Sequence, residues 1–349
     1  MTKQIIQFKT ILILSLIFTI SLRLFGKCKP FSSWSKEVKS KCLQNKECTW
    51  TDARFGGYCH SKFDNSPGNY IYQPVATPNL KAVSIGSGER TLVFVPGWLS
   101  AATPSFVSFT KLLDTNGGEF KMFLLDPPGV GVNSKFRLSK KGFQFNLEAQ
   151  ALSVLQFLHE RELEKVTLIG HSFGAIVVML AKHIALKNGM NHLISGLILL
   201  DPTDAFSDKL EQIMNVGLQT ACALTPGKEN KEVDSTVVGK LIRSVIERFP
   251  LAVAEQAKHI KVNVVCGTVR KLNSIVSKKN LDGLTSQLNH CSKVYLTTKR
   301  ISAGYHKTPK DLISKIPMGH KHFIQLSYSN KVLASDIREF LVSPTCVMQ

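Results

Sequence analysis

The sequence Gly-His-Ser-Phe-Gly at residues 170–174 constrains the fold of this chain more than any other feature. Before it, Val166–Ile169 is apolar and partly β-branched, which predicts a buried strand. After it, Ala175–Ala181 predicts a buried helix. The two glycines suit a sharp turn, because a Cβ at either one would collide where the strand and the helix cross. Such a turn holds Ser172 in a strained conformation at the amino end of the helix, with its Oγ available as a nucleophile.

Strands and helices alternate on the amino-terminal side of this turn. Thr91–Val95 is a short apolar strand followed by Pro-Gly-Trp, and Lys121–Leu125 is another, followed by a turn over residues 126–134. Asn146–Glu160 places leucines and a phenylalanine on one side, which predicts an amphipathic helix. The alternation predicts an α/β fold in which a mostly parallel sheet carries helices on both faces.

Further elements are predicted at both ends of this region. Leu80–Ile85 and Thr91–Val95 flank Gly-Ser-Gly, which predicts a hairpin between them. The remaining predicted elements are three strands and a closing amphipathic helix, Val332–Phe340. The strands are His192–Leu200 and, as the last two, Val262–Val265 and Lys293–Leu296.

Three motifs occur in an order that resembles the α/β-hydrolase family, in its serine esterase and lipase branch. They are Pro-Gly-Trp at residues 96–98, the Asp-Pro-Pro-Gly-Val-Gly-Val-Asn-Ser turn at 126–134 and Gly-His-Ser-Phe-Gly at 170–174. The resemblance extends from about Asn79 to the C-terminus. It implies the α/β-hydrolase fold with a helical cap at about residues 205–260, where the sequence pattern is helical and the family usually places its lid.

The resemblance also implies a catalytic triad in the chain order Ser, Asp or Glu, then His. A serine hydroxyl is a weak nucleophile until an imidazole takes its proton, and a carboxylate must hold that imidazole in the useful tautomer. The family carries its histidine in a loop before the final helix, often followed by an aromatic residue. His322, followed by Phe323, is therefore the predicted base, and His320 and His306 are the alternatives.

The predicted acid is Asp201, in the Asp-Pro turn that ends the strand His192–Leu200. Many relatives carry the acid after a later strand, but no carboxylate follows Val262–Val265 until Asp282. Lipase-like relatives place their acid in a similar Asp-Pro turn. Asp282 and Asp204 are the alternatives.

The predicted oxyanion hole uses two backbone N–H groups, those of Phe173 and Trp98. Relatives typically have His-Gly before the second donor, whereas this chain has Pro96 and Gly97. The hole survives this change because its donors are backbone groups. The turn at residues 126–134 is predicted to be structural, with no catalytic role.

The amino-terminal sequence predicts that the protein is exported. Lys3 and Lys9 precede an apolar run of twelve residues, which suits a signal peptide over residues 1–26 and is short for a membrane span. An uncleaved signal that anchors the chain in a membrane is the alternative. We therefore expect a secreted protein or one of the endomembrane lumen.

A cysteine-rich module is predicted over residues 27–64, joined by a linker at 65–78 to an α/β-hydrolase domain at 79–349. Four cysteines lie within 32 residues, an even number typical of two disulfides in a small exported segment. Their pairing stays open among three possibilities, and a bridge between Cys266 and Cys291 is a further option. The four cysteines of the module are Cys28, Cys42, Cys48 and Cys59.

Charge and motifs restrict the partners. The net charge is +19, concentrated at both ends of the chain, which favours a general basic surface or contact with an anionic membrane surface. No nucleic-acid-binding motif is present, so no nucleic-acid partner is expected. No cofactor or metal is called for by the predicted chemistry.

Serine at the centre of the turn predicts acyl transfer to water, because epoxide hydrolases and dehalogenases of this fold use a carboxylate there. We expect a secreted serine hydrolase that cleaves small-molecule or lipid carboxylic esters through an acyl-enzyme. The alternatives are a serine peptidase or thioesterase, and a non-catalytic hydrolase-fold protein that binds a ligand or a partner.

Overall fold

The computed structural model describes most of the central part of the chain and shorter stretches towards its ends. The described residues are 37–46, 48–53, 55–61, 70–74, 80–97, 100–115, 118–128, 130–133, 136, 147–202, 232–234, 261–263, 284–285, 288–289, 291–297, 310–316 and 330–343. The chain forms two compact units, one of Met1–Thr51 with Tyr58–Asn69 and one of Asp52–Gly57 with Tyr70–Gln349. The predicted boundaries at residues 27–64, 65–78 and 79–349 stay predictions.

The smaller unit is built around cysteines. It contains helix α1, Glu37–Gln44, and most of two neighbouring strands, β1, Cys48–Ala53, and β2, Gly56–Ser61. Cys42 and Cys59 form a disulfide, which confirms one cross-link within the predicted set of four cysteines. Cys48 is also disulfide-bonded. These three cysteines form a buried cluster with Trp50 packed against it, as expected of a segment too short to bury a large apolar core.

The tip of the β1–β2 hairpin belongs to the larger unit. Phe55 is fully buried, its ring stacks on Phe136 with centroids 5.8 Å apart, and its carbonyl accepts a hydrogen bond from the N–H of Gln73. Gly56 follows with φ +130°, and a Cβ there would lie 1.9 Å from the carbonyl oxygen of Ile71. Glycine is therefore required for the tip to approach this backbone.

A seven-stranded sheet forms the centre of the larger unit. Its strands are β4, Ala82–Ile85; β5, Arg90–Val95; β6, Phe120–Leu125; β7, Val166–His171; β8, Ile194–Leu200; β11, Ser292–Thr297; and β12, Ile313–Ile316. Their spatial order is β12-β11-β8-β7-β5-β6-β4, and all neighbouring pairs are parallel except β4 and β6. The predicted α/β fold with a mostly parallel sheet is confirmed. A further short strand, β3, spans Tyr70–Tyr72.

Two predicted strand arrangements were wrong. β4 does not form a hairpin with β5; it lies antiparallel to β6 at the edge of the sheet, where the Gly-Ser-Gly connection lets the chain cross to the far side of β6. Among the described residues, the last two strands are β11 and β12 rather than Val262–Val265 and Lys293–Leu296. Lys261–Asn263 is β10, and it pairs antiparallel with β9, Glu232–Asp234, in a separate two-stranded sheet.

Helices cover both faces of the main sheet. On one face lie α2, Ala102–Leu113, and α5, Asn330–Val342, which contact each other. On the other face lie α3, Leu147–Glu160, and α4, Phe173–Lys187, which also pack together. The predicted helices at Asn146–Glu160 and Val332–Phe340 are therefore confirmed within two residues.

The largest core cluster lies between the sheet and the layer of α2 and α5. Aromatic rings dominate it, and those of Phe94 and Phe106 have centroids 5.1 Å apart. The α5 helix is also held by polar contacts, because Arg338 pairs with Glu119 at 2.8 Å and the Tyr295 hydroxyl donates to Asp336. The helix that closes the chain is thus fixed to the sheet at several points.

Most of the predicted cap lies outside the described residues, and within its range the structure describes only strand β9. The predicted signal peptide also lies outside them. Among the helices that are described, none combines the length and the apolar character needed to cross a membrane.

Candidate active site

Ser172 stands between β7 and α4, at the carboxyl edge of the central strands. It is the N-cap residue of α4 and has φ 55° and ψ −119°, a backbone conformation that L-residues rarely adopt. Its side chain is nearly buried, with 7% of its surface exposed. The strained turn predicted from the sequence is present, and it directs the serine away from both the strand and the helix.

The two glycines of the turn allow three backbone segments to meet. A Cβ on Gly170 would lie 2.5 Å from Cα of Ala175, inside the first turn of α4. A Cβ on Gly174 would lie 2.3 Å from the carbonyl oxygen of Pro96 and 2.4 Å from that of Val95. Only glycine at position 174 permits α4 to rest on the end of β5.

The loop after β5 consequently lies beside the serine. A Cβ on Gly97 would be 3.3 Å from both Cβ of Ser172 and Nδ1 of His171, and the N–H of Ser100 donates to the carbonyl of Gly97. Because this loop carries Trp98, one of the two predicted donors, we name residues 96–101 the oxyanion loop. Of the predicted oxyanion donors, Phe173 is the first residue of α4, and Trp98 lies outside the described residues.

Asp201 comes directly after β8, the strand next to β7. Residues 171 and 200 are paired in register, and the N–H of Ser172 donates to the carbonyl of Leu200 at 3.0 Å. Asp201 and Ser172 therefore leave the sheet side by side. Asp201 is fully buried and has φ 41°, and its N–H donates to the carbonyl of Tyr295 on β11.

The other predicted triad candidates lie outside the described residues. These are His322, His320, His306, Asp282 and Asp204. Strand β12 ends at Ile316, so the segment that carries His320 and His322 begins at the carboxyl edge of the sheet, the same edge as Ser172.

A buried carboxylate that the sequence analysis left without a role lies at the end of β6. Asp126 is 2% exposed and accepts hydrogen bonds from the N–H groups of Ala102 and Val132. Burial raises the pKa of Asp126, and these two N–H groups counteract the increase by stabilising the ionised form. Its motif was visible in the sequence, but its contact with the helix after the oxyanion loop was not.

Tyr295 is a residue of β11 whose carbonyl accepts from the N–H of Asp201, and it connects this edge of the sheet to α5. Its hydroxyl donates to Asp336, and burial, together with this carboxylate, raises the pKa of Tyr295 well above its usual value. The phenol therefore stays neutral across the physiological range and serves as a structural donor. Within the described residues, no three His, Cys, Asp or Glu side chains are grouped so that they could hold a metal ion.

Comparison with known protein families agrees with this architecture. The model of the alpha/beta hydrolase family matches residues 92–254. Over these residues the chain is similar to the alpha/beta hydrolase family, and its sheet has the α/β-hydrolase fold. No curated protein sequence matches this chain.

Solved structures show the same fold at low identity. A hypothetical protein from Pseudomonas aeruginosa PAO1 has a TM-score of 0.53 and 15% identity, covering 85% of this chain and 100% of its own. A thermophilic esterase from Thermogutta terrifontis has a TM-score of 0.55 and 17% identity, covering 77% of this chain and 96% of its own. An esterase from Exiguobacterium antarcticum has a TM-score of 0.52 and 13% identity, covering 79% and 97%.

Gly174→Ala tests the crossing of α4 and β5. Alanine favours a helix over glycine by about 1 kcal/mol, but the new Cβ would meet two backbone carbonyls that cannot rotate away. We expect the steric cost to dominate and unfolding free energy to fall by about 1–3 kcal/mol in denaturant titrations. Gly118→Ala is the control, because a Cβ there meets nothing within 4 Å. Equal stability of both variants would contradict the tight crossing.

Proposed function

We propose that this chain is an α/β hydrolase that cleaves carboxylic esters through a Ser172-Asp201-His322 triad. The observation that carries the proposal is the strained Ser172 at the amino end of α4, beside the buried Asp201 and against Gly97 of the oxyanion loop. Backbone strain of this kind costs roughly 1–3 kcal/mol and persists where the surrounding structure holds it, commonly at active sites.

In the proposed reaction, His322 removes the proton from Ser172 Oγ as this oxygen attacks the ester carbonyl. The resulting oxyanion is held by the N–H groups of Phe173 and Trp98. His322 then protonates the departing alcohol, which leaves an acyl-enzyme on Ser172. Water, activated by the same histidine, attacks the acyl carbon and releases the carboxylic acid.

The corrected strand order supports Asp201 as the acid. Strand β11 ends at Thr297, and the next carboxylate along the chain is Asp311, which belongs to the short helix that leads into the amino end of β12. That position lies at the edge of the sheet opposite Ser172. Asp282 precedes β11 and is likewise on a segment that leads to an amino end, whereas Asp201 follows the carboxyl end of β8.

Chain length supports His322 as the base. Three strand spacings of about 4.8 Å separate β12 from β7, roughly 14 Å in all. His322 follows Ile316 by six residues, which span at most about 20 Å, while His320 follows by four, which span about 13 Å. The segment from Ile316 to His322 is therefore long enough to reach the end of β7, whereas the segment to His320 would have to be fully extended.

The ester substrate and the location of the protein are parts of the same proposal. Two of the structural neighbours are described as esterases, but at 17% and 13% identity their likeness concerns the fold alone. We therefore base the ester class on serine chemistry and propose export on the Cys42–Cys59 disulfide, because such bonds persist in oxidising compartments.

The competing proposal is a hydrolase fold that binds a ligand without catalysis. Pro96 favours it, because relatives that hydrolyse esters typically carry histidine at this point of the oxyanion loop. A fluorophosphonate probe separates the two, since it forms a covalent bond only with an activated serine. A purified wild-type chain that is folded but is not labelled would support the binding protein.

Ser172→Ala is expected to abolish fluorophosphonate labelling and to lower the hydrolysis of nitrophenyl esters by roughly 10⁶-fold, because the covalent route needs the attacking oxygen. Ester turnover is measured by nitrophenol release over a series of acyl lengths, which also defines the preferred substrate. Thermal unfolding of the variant should match the wild type. Undiminished turnover in the purified variant would exclude the mechanism.

His322→Ala is expected to impair ester turnover as severely as Ser172→Ala, because no other group would take the serine proton. His320→Ala is the matched control two residues away and should retain most activity. The two variants are compared by kcat for the same nitrophenyl ester. A reversed order of effects would assign the base to His320.

Asp201→Asn is expected to lower kcat by about 10⁴-fold, because an amide holds the imidazole in the wrong tautomer while occupying the same volume. Asp282→Asn and Asp204→Asn serve as parallel controls and should be nearly silent. Should Asp282→Asn show the large loss and Asp201→Asn none, the acid would lie on the segment before β11.

A further inference from the structure

The carboxylate of Asp126 bridges two backbone segments that meet beside the oxyanion loop. Oδ1 accepts a hydrogen bond of 2.6 Å from the N–H of Ala102, and Oδ2 accepts one of 2.8 Å from the N–H of Val132. Ala102 is the first residue of α2, directly after the oxyanion loop, and Val132 lies in the short 3₁₀ helix Gly131–Asn133. One side chain therefore links the start of α2 to the turn after β6.

The N-cap residue of α2 does not cap the helix with its side chain. This residue is Ala101, which makes no side-chain capping hydrogen bond. The amino end of a helix carries unsatisfied N–H groups and a partial positive charge, both of which favour a carboxylate. Asp126 supplies this carboxylate from the end of β6, and the position of α2 thereby depends on a residue 24 positions further along the chain.

The bridging carboxylate is held with little freedom. Gly131 has φ +52°, and a Cβ there would lie 1.9 Å from Oδ2 of Asp126, so any side chain at this position would displace the carboxylate. Asn133 fixes the same turn, because its side-chain nitrogen donates to the carbonyls of Asp126 and Lys81 and its oxygen accepts from the N–H of Lys81.

The oxyanion loop is thus anchored at both ends. Its first end continues β5 and lies under Gly174, and its second end is fixed where Asp126 binds Ala102. Between these anchors lie Gly97, where an added Cβ would be 3.3 Å from Cβ of Ser172, and Trp98, whose N–H is the proposed donor. We propose that Asp126 is a positioning residue that sets the distance between the oxyanion loop and Ser172; this inference rests on the proposed hydrolase function.

The experiment compares second-order rate constants for fluorophosphonate labelling, because the phosphonyl oxygen occupies the oxyanion hole as Ser172 attacks phosphorus. Asp126→Asn keeps the size of the side chain but turns one acceptor into an NH₂ group that faces an N–H donor. We expect labelling to slow by roughly 10–100-fold, the range for a misplaced catalytic group or a weakened oxyanion donor.

Asn188→Ala is the matched control for a merely structural effect. Asn188 is a buried polar residue that accepts from the N–H of Tyr72 and donates to the carbonyl of Ile184, and it lies at the end of α4 opposite Ser172. We expect it to lower the unfolding temperature while leaving the labelling rate within about threefold of the wild type, because its contacts are roughly 20 Å from the serine.

A second readout isolates the oxyanion contact. Thionoesters place sulfur, a weaker hydrogen-bond acceptor, where esters place oxygen, so the ratio of kcat/KM for ester over thionoester measures donation to the oxyanion. Asp126→Asn should reduce this ratio, and Asn188→Ala should leave it unchanged. KM is expected to change much less than kcat in Asp126→Asn, because the loop acts on the transition state.

Gly131→Ala provides an independent variant if Asp126→Asn does not fold. It leaves the carboxyl group intact but forces it away from Val132, and the labelling rate and the ester ratio should fall as for Asp126→Asn. The positioning role is refuted if the wild type is labelled and both variants react at its rate with its ester ratio. Failure of the wild type itself to be labelled would instead refute the proposed function.

Discussion

The contact between α4 and the end of β5 is the constraint on which the site depends. Gly174 brings the helix so close to the carbonyls of Val95 and Pro96 that no other residue would fit. The same contact places the loop after β5 against the serine that begins the helix. Ser172 and the oxyanion loop are far apart in the chain, and this backbone crossing is the first of the contacts that set their relative position.

Parallel pairing of the central strands supplies the second element of the site. Because β7 and β8 end in register, the residues after them, Ser172 and Asp201, emerge next to each other, and both have positive φ. Strain of roughly 1–3 kcal/mol at each is tolerated because both are enclosed by buried strands. Their short hydrogen-bonded connections, Ser172 to Leu200 and Asp201 to Tyr295, leave the backbone little room to relax.

Local patterns predicted the buried strands well and the pairing of strands less well. The apolar runs at Thr91–Val95, Lys121–Leu125 and His192–Leu200 are strands in the structure, as are the residues before Ser172. The Gly-Ser-Gly connection has the local sequence of a hairpin turn, yet β4 pairs with β6, a strand further along the chain, and not with β5. Strand β12 was not predicted. It has only four residues, two of them polar, so its sequence shows neither an apolar run nor a clear alternation of apolar and polar residues.

The sequence by itself determined the fold class and the sharp turn that carries Ser172, the proposed nucleophile, because glycine spacing around Ser172 and the alternation of strands and helices are local properties of the chain. It also determined the disulfide-rich character of the amino-terminal segment. Only the tertiary structure decided the positions of two buried aspartates. Asp201 lies beside Ser172, and Asp126 lies at the start of α2. These placements follow from which strands become neighbours. Neighbour choice is set by burial and packing across the whole sheet, so no local pattern of residues records it.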